Sequence, residues 1–329
     1  MTKISDVAKK TGYSITTISR AINDHPYVSD KAKKKIFDAM RELDYYPNNV
    51  AQQLRGKRTK LIGVIISFIT NPFFTHLVDA IDKKAFQAGY QIVVLQTLEE
   101  AGREKKFIEM LKKHQLDGLI MTSLDDDSPE VLKLIEQGKI VVCNRYLGDQ
   151  NIPVIRIDEK KATYEAAYYL LAKGYKKIAY VSGNKQSRIH NDSRFLGYLQ
   201  ALKEFNIEMD LAHLFLSRLS VTDGRSTLID MLALGDNRPD AILVISDEVA
   251  SGILSQCHVL NIKVPDQFAI IGFDDQPTAE VMYPGLTTVR QPIKEMGRYV
   301  AEVMISHIEH KSLPEAPELT TKLVIRGTT

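Results

Sequence analysis

The chain's 329 residues are 44% apolar and 26% charged, a balance that excludes a disordered or fibrous chain and leaves room for about two or three domains. No apolar run nears the roughly 18–20 residues that span a bilayer, and the opening MTKISDVAKK lacks the apolar core of a secretory signal, so a cytoplasmic protein without a membrane partner is expected. The net charge of +2 conceals an asymmetry: residues 1–60 hold 13 Lys and Arg against 6 Asp and Glu, and the rest 30 against 35.

A basic head on an acidic body is the footprint of a nucleic-acid-binding arm. Within ISDVAKKTGYSITTISRAIN, Ile4, Val7 and Ala8 recur at helical spacing, Gly12 interrupts them, and Ser14 restarts the pattern, which predicts two short helices. Gly12 can supply the positive φ of a tight turn, and Ser14 can cap the N–H groups that open the second helix. Ile18 and Ile22 then face the first helix, where small Ala8 permits a close crossing. This is the helix-turn-helix layout, whose second helix enters the DNA major groove. The outer face of that helix carries Thr16, Thr17, Ser19, Arg20 and Asn23, donors and acceptors sized for bases and phosphates. A third helix is expected in SDKAKKKIFDAMRELDYY, capped by Ser29, with Ala32, Ile36, Ala39, Met40 and Leu43 as its apolar stripe.

The linker PNNVAQQLRGKRTKLIG is too polar for a core helix, yet Val50, Ala51 and Leu54 share one helical face. Pro47 ends the third helix and Asn48 can cap a new one. A helix this short is marginal in water, where isolated helices need about 12–15 residues, so it is expected to fold only on DNA.

From Leu61 onward short apolar runs alternate with helical patterns. LIGVIIS, YQIVVLQ, DGLIMTS and KIVVCN predict buried parallel strands, and KKIAYVSG, DAILVIS and QFAIIGFDD repeat the pattern. The expected fold is an all-α helix-turn-helix head with a hinge helix, followed by an α/β body of two doubly wound parallel-sheet subdomains. Ligands of such sheets sit at the carboxyl ends of the strands. Asn71, Phe73 and Phe74 follow the first strand; Asn144 and Arg145, Ser246 and Asp247, and Asp274 follow later ones. Amide, guanidinium, carboxylate and aromatic faces together suit a polyhydroxylated ligand.

The chain contains no G-x-G-x-x-G, P-loop, H-E-x-x-H or G-x-S-x-G motif, and its eight histidines lack metal spacing, so neither an enzyme nor a metal site or cofactor is expected. Cys143 and Cys257 stand far apart and read as small buried hydrophobes.

The run DVAKKTGYSITTISRAIN, followed by YVSDKAKKKI and LDYYPNNVAQQLRGKRTKLIG, resembles the lactose repressor/galactose repressor (LacI/GalR) family of bacterial transcription regulators, and the resemblance extends along essentially the whole chain. It implies that Ile15 and Thr16 discriminate operators, Arg20 reads a further base, and Ser14, Ser19, Asn23 and Tyr27 contact bases or backbone. Being apolar, Ile15 could read a base only through something like a thymine methyl. Asn48 and Leu54 complete the DNA-binding set, with Leu54 wedged into a central minor-groove step. Arg55, Lys57, Arg58 and Lys60 then lie near phosphates. The effector set implied by the resemblance is Phe73, Phe74, Asn144, Arg188, His190, Arg194, Ser246 and Asp274. Lys3 departs from a frequent capping Thr, Ser246 from Asn, and His190 from Ser or Thr.

The resemblance further implies a helix-turn-helix domain over 1–46, a hinge and linker over 47–60, and an effector-binding and dimerisation domain over 61–329. The N-subdomain takes about 61–157 and 287–316, the C-subdomain about 158–286 and 317–329, with crossovers near Ile157, Leu286 and Pro314–Pro317. The heptad helix that tetrameric members append is absent, so the expected assembly is a homodimer on a pseudo-palindromic double-stranded operator. The function so implied is repression of a carbohydrate-utilisation operon under a small effector, a sugar or sugar derivative. The alternatives are a catabolite-control regulator whose corepressor is a phosphorylated carrier protein, and a sugar-binding protein that does not bind DNA.

Overall fold

The computed structural model describes residues 2–46, 58–100, 102–124, 128–146, 151–186 and 189–329. Contacts divide the chain into two units, Met1–Thr59 and Lys60–Thr329.

The first unit holds three helices, α1 (Ile4–Thr11), α2 (Ile15–Ile22) and α3 (Asp30–Glu42). Gly12 ends α1 at φ 74°, a left-handed conformation that a side chain would resist, and its N–H reaches the Ala8 carbonyl. Ser14 opens α2 by accepting from the Thr17 N–H at 3.1 Å, and Ser29 opens α3 by accepting from Ala32 at 3.4 Å. At the departure noted in sequence, Lys3, the side chain makes no cap, and Asp6 instead accepts from the Lys3 N–H at 2.9 Å. Val7, Ile18, Ala21, Ile36 and Met40 form the core between the helices, with Leu43 packed against it half-buried.

The second unit contains two sheets of one design. The first comprises β1 (Leu61–Ile66), β2 (Gln91–Gln96), β3 (Gly118–Leu124), β4 (Ile140–Tyr146) and β5 (Val154–Ile155), in the order β2-β1-β3-β4-β5 and parallel throughout. Helices α4 (Pro72–Gln87), α5 (Arg103–Lys112) and α6 (Pro129–Glu136) connect its strands. After β5 the chain crosses over and enters α7 (Glu159–Ala172), which packs on the second sheet. That sheet contains β6 (Ile178–Val181), β7 (Leu214–Phe215), β8 (Ala241–Val244), β9 (Ala269–Asp274), β10 (Thr287–Arg290) and β11 (Lys322–Val324), in the order β11-β10-β9-β8-β6-β7. Helices α8 (Ser193–Glu204), α9 (Val221–Leu232), α10 (Asp247–Val259) and the short α11 (Pro277–Val281) lie between them. Only β11 runs antiparallel.

The expected second crossover, near Leu286, needs correction. Residues 287–290 are strand β10, hydrogen-bonded in register beside β9, so they belong to the second sheet rather than the first. The chain crosses only after Arg290, at Gln291 and Pro292, and enters α12 (Ile293–Glu309), which packs into the core of the first sheet. It returns between Glu309 and Lys322 to form β11.

Gly297 lets α12 lie directly on α4. A Cβ there would sit 2.6 Å from the Ala80 Cβ and 3.0 Å from the Leu77 carbonyl. Gly297→Val is therefore expected to lower the stability of this unit by about 2 kcal/mol or more, because overpacking a close helix crossing forces the backbones apart. Urea unfolding of the variant checks this, and an unchanged midpoint would mean that the crossing relaxes freely.

Candidate ligand cleft and nucleic-acid surface

Helix α2 turns a polar, reachable face outward. Ile15 is 47% exposed at its first turn, Thr16, Arg20 and Asn23 are exposed, and Tyr27, beyond the helix, is 85% exposed with its ring 5.2 Å from that of His25. The Ser14 side chain and the Ser19 backbone carbonyl are committed. The Ser14 hydroxyl caps the helix and lies 2.9 Å from that of Thr17, and the Ser19 carbonyl accepts from the Asn23 side-chain amide at 2.6 Å. Helix α2 therefore offers Ile15 and Thr16 near its amino end, the part that reaches base edges when such a helix docks in a major groove, with Arg20 and Asn23 further along toward its carboxyl end. Asn48 and Leu54 lie outside the described residues.

The two sheets of the second unit end on a common cleft, with about 900 Å³ of empty space including open solvent. The parallel strands deliver Ser67 after β1, Ser123 at the end of β3, Asn144 and Arg145 in β4, Ser182 and Asn184 after β6, Ser246 after β8, and Asp274 at the end of β9. Of the expected effector residues, Phe73, Phe74, Asn144, Arg194, Ser246 and Asp274 line this one cleft. Arg188 lies outside the described residues. His190 does not line the cleft: it is exposed on the turn before α8, its ring set edgewise 6.5 Å from Phe195.

Each cleft side chain is held by something specific. Phe73 and Phe74 open α4 behind the Asn71 cap, their rings edge to face at 5.3 Å. Asn144 takes φ 67°, and its side-chain amide donates to the Thr122 carbonyl at 3.3 Å. Ser246 caps α10 by accepting from the Val249 N–H at 3.3 Å. Asp192 caps α8 by accepting from the Arg194 and Phe195 N–H groups at 2.7 and 3.2 Å, and its other oxygen accepts from Asn184.

Two ionisable groups, the part-buried Arg194 and the buried Asp274, sit within this framework. The Arg194 guanidinium donates from Nε to Glu159 at 2.8 Å and lies 4.3 Å from the centre of the Phe273 ring. Burial opposes its charge, but Glu159, Asp274 and Asp192 outweigh that cost and raise its pKa further. Asp274, at φ 111°, accepts from the Gln291 side-chain amide at 2.7 Å. Burial pushes its carboxyl up to about 6, against the opposing pull of Arg194 and the Gln291 hydrogen bond.

Glu159, Asn184, Asp192 and Arg218 also line the cleft but escaped the sequence reading. Asn184 follows β6 and the strand-end rule could have found it; Glu159 follows only a two-residue strand that carries no pattern. Among the described residues no group of three or more His, Cys, Asp or Glu side chains could hold a metal ion. The arrangement supplies carboxylate, guanidinium, amide and aromatic surface to a bound molecule.

Comparison with known proteins places this geometry. Residues 3–48 match the family described as "Bacterial regulatory proteins, lacI family", and residues 59–325 match "Periplasmic binding proteins and sugar binding domain of LacI family". The ribose operon repressor of Halalkalibacterium halodurans is 35% identical, with 100% of this chain and 97% of that one aligned. A LacI family transcriptional regulator from Lactobacillus casei, solved with bound sucrose, superposes with a TM-score of 0.75 at 31% identity, covering 82% of this chain and 99% of that one. The lac repressor dimer bound to operator and the anti-inducer ONPF superposes with a TM-score of 0.81 at 26% identity, covering 99% and 98%.

Asp274 gives the cleft a pH signature. Its native carboxyl keeps a proton up to about pH 6, whereas its ordinary value is 3.8, so between these pH values the native state binds the proton that the unfolded chain releases. Stability contributed by this group therefore falls as pH rises through that window, by up to about 3 kcal/mol. Asp274→Asn removes the slope. Relative to the parent, the variant is expected to gain stability between pH 4 and pH 7 in urea unfolding, and a difference independent of pH would contradict the assignment.

Proposed function

The chain belongs to the LacI family of bacterial regulatory proteins, and from that premise we infer that it represses a carbohydrate-utilisation operon, as a homodimer on a pseudo-palindromic operator, under the control of a sugar or sugar derivative bound in the cleft. The observation that carries this reading is the convergence of Arg194 and Asp274 with Phe73 and Phe74 at the carboxyl edges of two sheets. Charged groups fix hydroxyls by hydrogen bonds in the plane of a sugar ring, while aromatic surface covers its C–H faces. The relatives support the same class: one is named for a ribose operon, and another was solved with sucrose.

The mechanism follows from charge and linkage. The basic first 60 residues give non-specific attraction to phosphates, and α2 supplies the base readout. Ser246 is shorter than the Asn frequent at this position in sugar-responsive members, which leaves room for a bulkier substituent or a water at that corner of the cleft. A ligand that binds one arrangement of the two subdomains better than the other shifts the population, and coupling of about 1–3 kcal/mol is ordinary. The site of action is the cytoplasm, where the DNA is, and no catalytic step is assigned to any residue.

Three measurements test this. A thermal-shift screen of residues 60–329 against sugars, sugar phosphates, sugar acids and purines should return a sugar or sugar derivative as the strongest stabiliser, because ligands of the native state raise apparent stability by mass action; a purine as the sole hit would redirect the reading. Arg194→Ala should weaken that ligand by about tenfold or more, as expected on losing a buried charged hydrogen-bonding partner, while ligand-free DNA affinity stays within about twofold. Deleting residues 1–59 should abolish duplex binding and leave ligand binding intact, and duplex affinity that survived the deletion would remove the head from DNA recognition.

A further inference from the structure

At the edge of the first sheet where its strands begin, opposite the edge that borders the cleft, Lys60 is gripped from several sides. Its backbone takes φ 60°, unusual for a side-chain-bearing residue. Its N–H donates to Asp117 at 2.8 Å, just before β3, and its carbonyl accepts from the Gln91 N–H at 2.9 Å, at the start of β2. The ammonium lies 4.0 Å from the centre of the fully buried Tyr90 ring and 3.9 Å from Glu309 at the end of α12. Glu309 is itself held, accepting from the Tyr90 hydroxyl at 3.3 Å and pairing with Lys311 at 2.7 Å. Its hydrogen bond from Lys311 comes first among the causes that keep its carboxyl below the usual range, with Tyr90 and Lys60 acting in the same direction.

The Lys60 side chain is 48% exposed and its 3.9 Å pair with Glu309 is loose, so that pair alone is worth little. Here two backbone hydrogen bonds, a cation over an aromatic face and a carboxylate braced from two sides converge on the first residue of the unit, where the chain arrives from the linker. The sequence had suggested that Lys60 lies near DNA phosphates. The structure sets its ammonium beside a ring and a carboxylate.

We propose that Lys60, Tyr90 and Glu309 form a clamp that holds the backbone of Lys60 in its left-handed conformation at the start of the second unit, and that operator binding depends on this clamp rather than on a Lys60–phosphate contact. The residues act through the Lys60 backbone and are positioning residues. The proposal rests on the operator-binding reading above.

The two roles predict opposite signs. Removing an acid near a phosphate contact strengthens DNA binding, or leaves it unchanged, because DNA is a polyanion. Removing an acid that braces the clamp weakens it. The experiment uses the full chain and a duplex selected by it from a random-sequence pool, and measures affinity over a series of salt concentrations. Glu309→Gln and Lys60→Met should each lower affinity for the selected duplex by about fivefold or more, an ordinary coupling magnitude. Tyr90→Phe should lower it less, and Lys60→Arg should restore near-parental binding by returning a cation to the ring. The salt slope of Lys60→Met should stay parental, since losing one phosphate contact would reduce it by about 1. Melting of the second unit should change little in Glu309→Gln and Lys60→Met, which separates loosening of the clamp from unfolding. Glu309→Gln with equal or tighter binding, or a reduced salt slope in Lys60→Met, would overturn the clamp. Failure of the parent to select any duplex would instead overturn the operator-binding reading and the clamp with it.

Discussion

A parallel sheet cannot turn straight back on itself; each strand must return through a helix on a face of the sheet, so all strands end at the same edge. Everything of chemical interest in the second unit follows from that constraint. Two sheets that share the strand order 2-1-3-4-5, the second with antiparallel β11 added at its edge, bring the ends of β1, β3, β4, β6, β8 and β9 to one cleft. No single element carries the binding chemistry. Arg194 comes from the start of α8, its partner Glu159 from the start of α7 and Asp274 from the end of β9, and they meet only because the strands of the second sheet stop together.

The same constraint leaves an opposite edge, where strands begin, and α12 connects the two. Its first turn follows Gln291, whose amide holds Asp274 in the cleft; its last residue, Glu309, lies beside Lys60 where the linker arrives. At 1.5 Å per residue a helix of this length reaches roughly 25 Å, about the length of the sheet it packs on. Gly297 seats it rigidly against α4. Asp275, next to the cleft carboxylate, meanwhile pairs with Arg290 before the second crossover and Arg326 after the return. A change at Asp274 is thus one hydrogen bond away from a crossover, and a helix length away from the linker.

Much of this was legible from local pattern. The caps Ser14 and Ser29, the glycine turn at Gly12 and the apolar stripes of α1 to α3 lie within a few residues of one another, and so do the apolar runs that became β1 to β4, β6, β8 and β9. What was missed depends on distant pairing. β10 reads Thr-Thr-Val-Arg, without an apolar run, and is a strand only because β9 and β11 flank it; hence the crossover was expected near Leu286 rather than at Gln291. Glu159 lies 35 residues before Arg194, and Tyr90 bonds Glu309 across 219 residues, separations at which no spacing rule operates. His190 illustrates the converse: the family resemblance implied the cleft, and the turn before α8 leaves it exposed.

The central claim is that the cleft and the DNA-binding head share one equilibrium. Linkage makes this measurable from either side, since a ligand that changes duplex affinity by some factor must have its own affinity changed by the duplex by the same factor. The decisive measurement titrates the full chain with the sugar that most stabilises residues 60–329, first alone and then saturated with its selected duplex. The account predicts midpoints that differ by about fivefold or more, matched by the shift in duplex affinity when the sugar is saturating. Identical midpoints would show that the cleft binds without informing the head, and would contradict it.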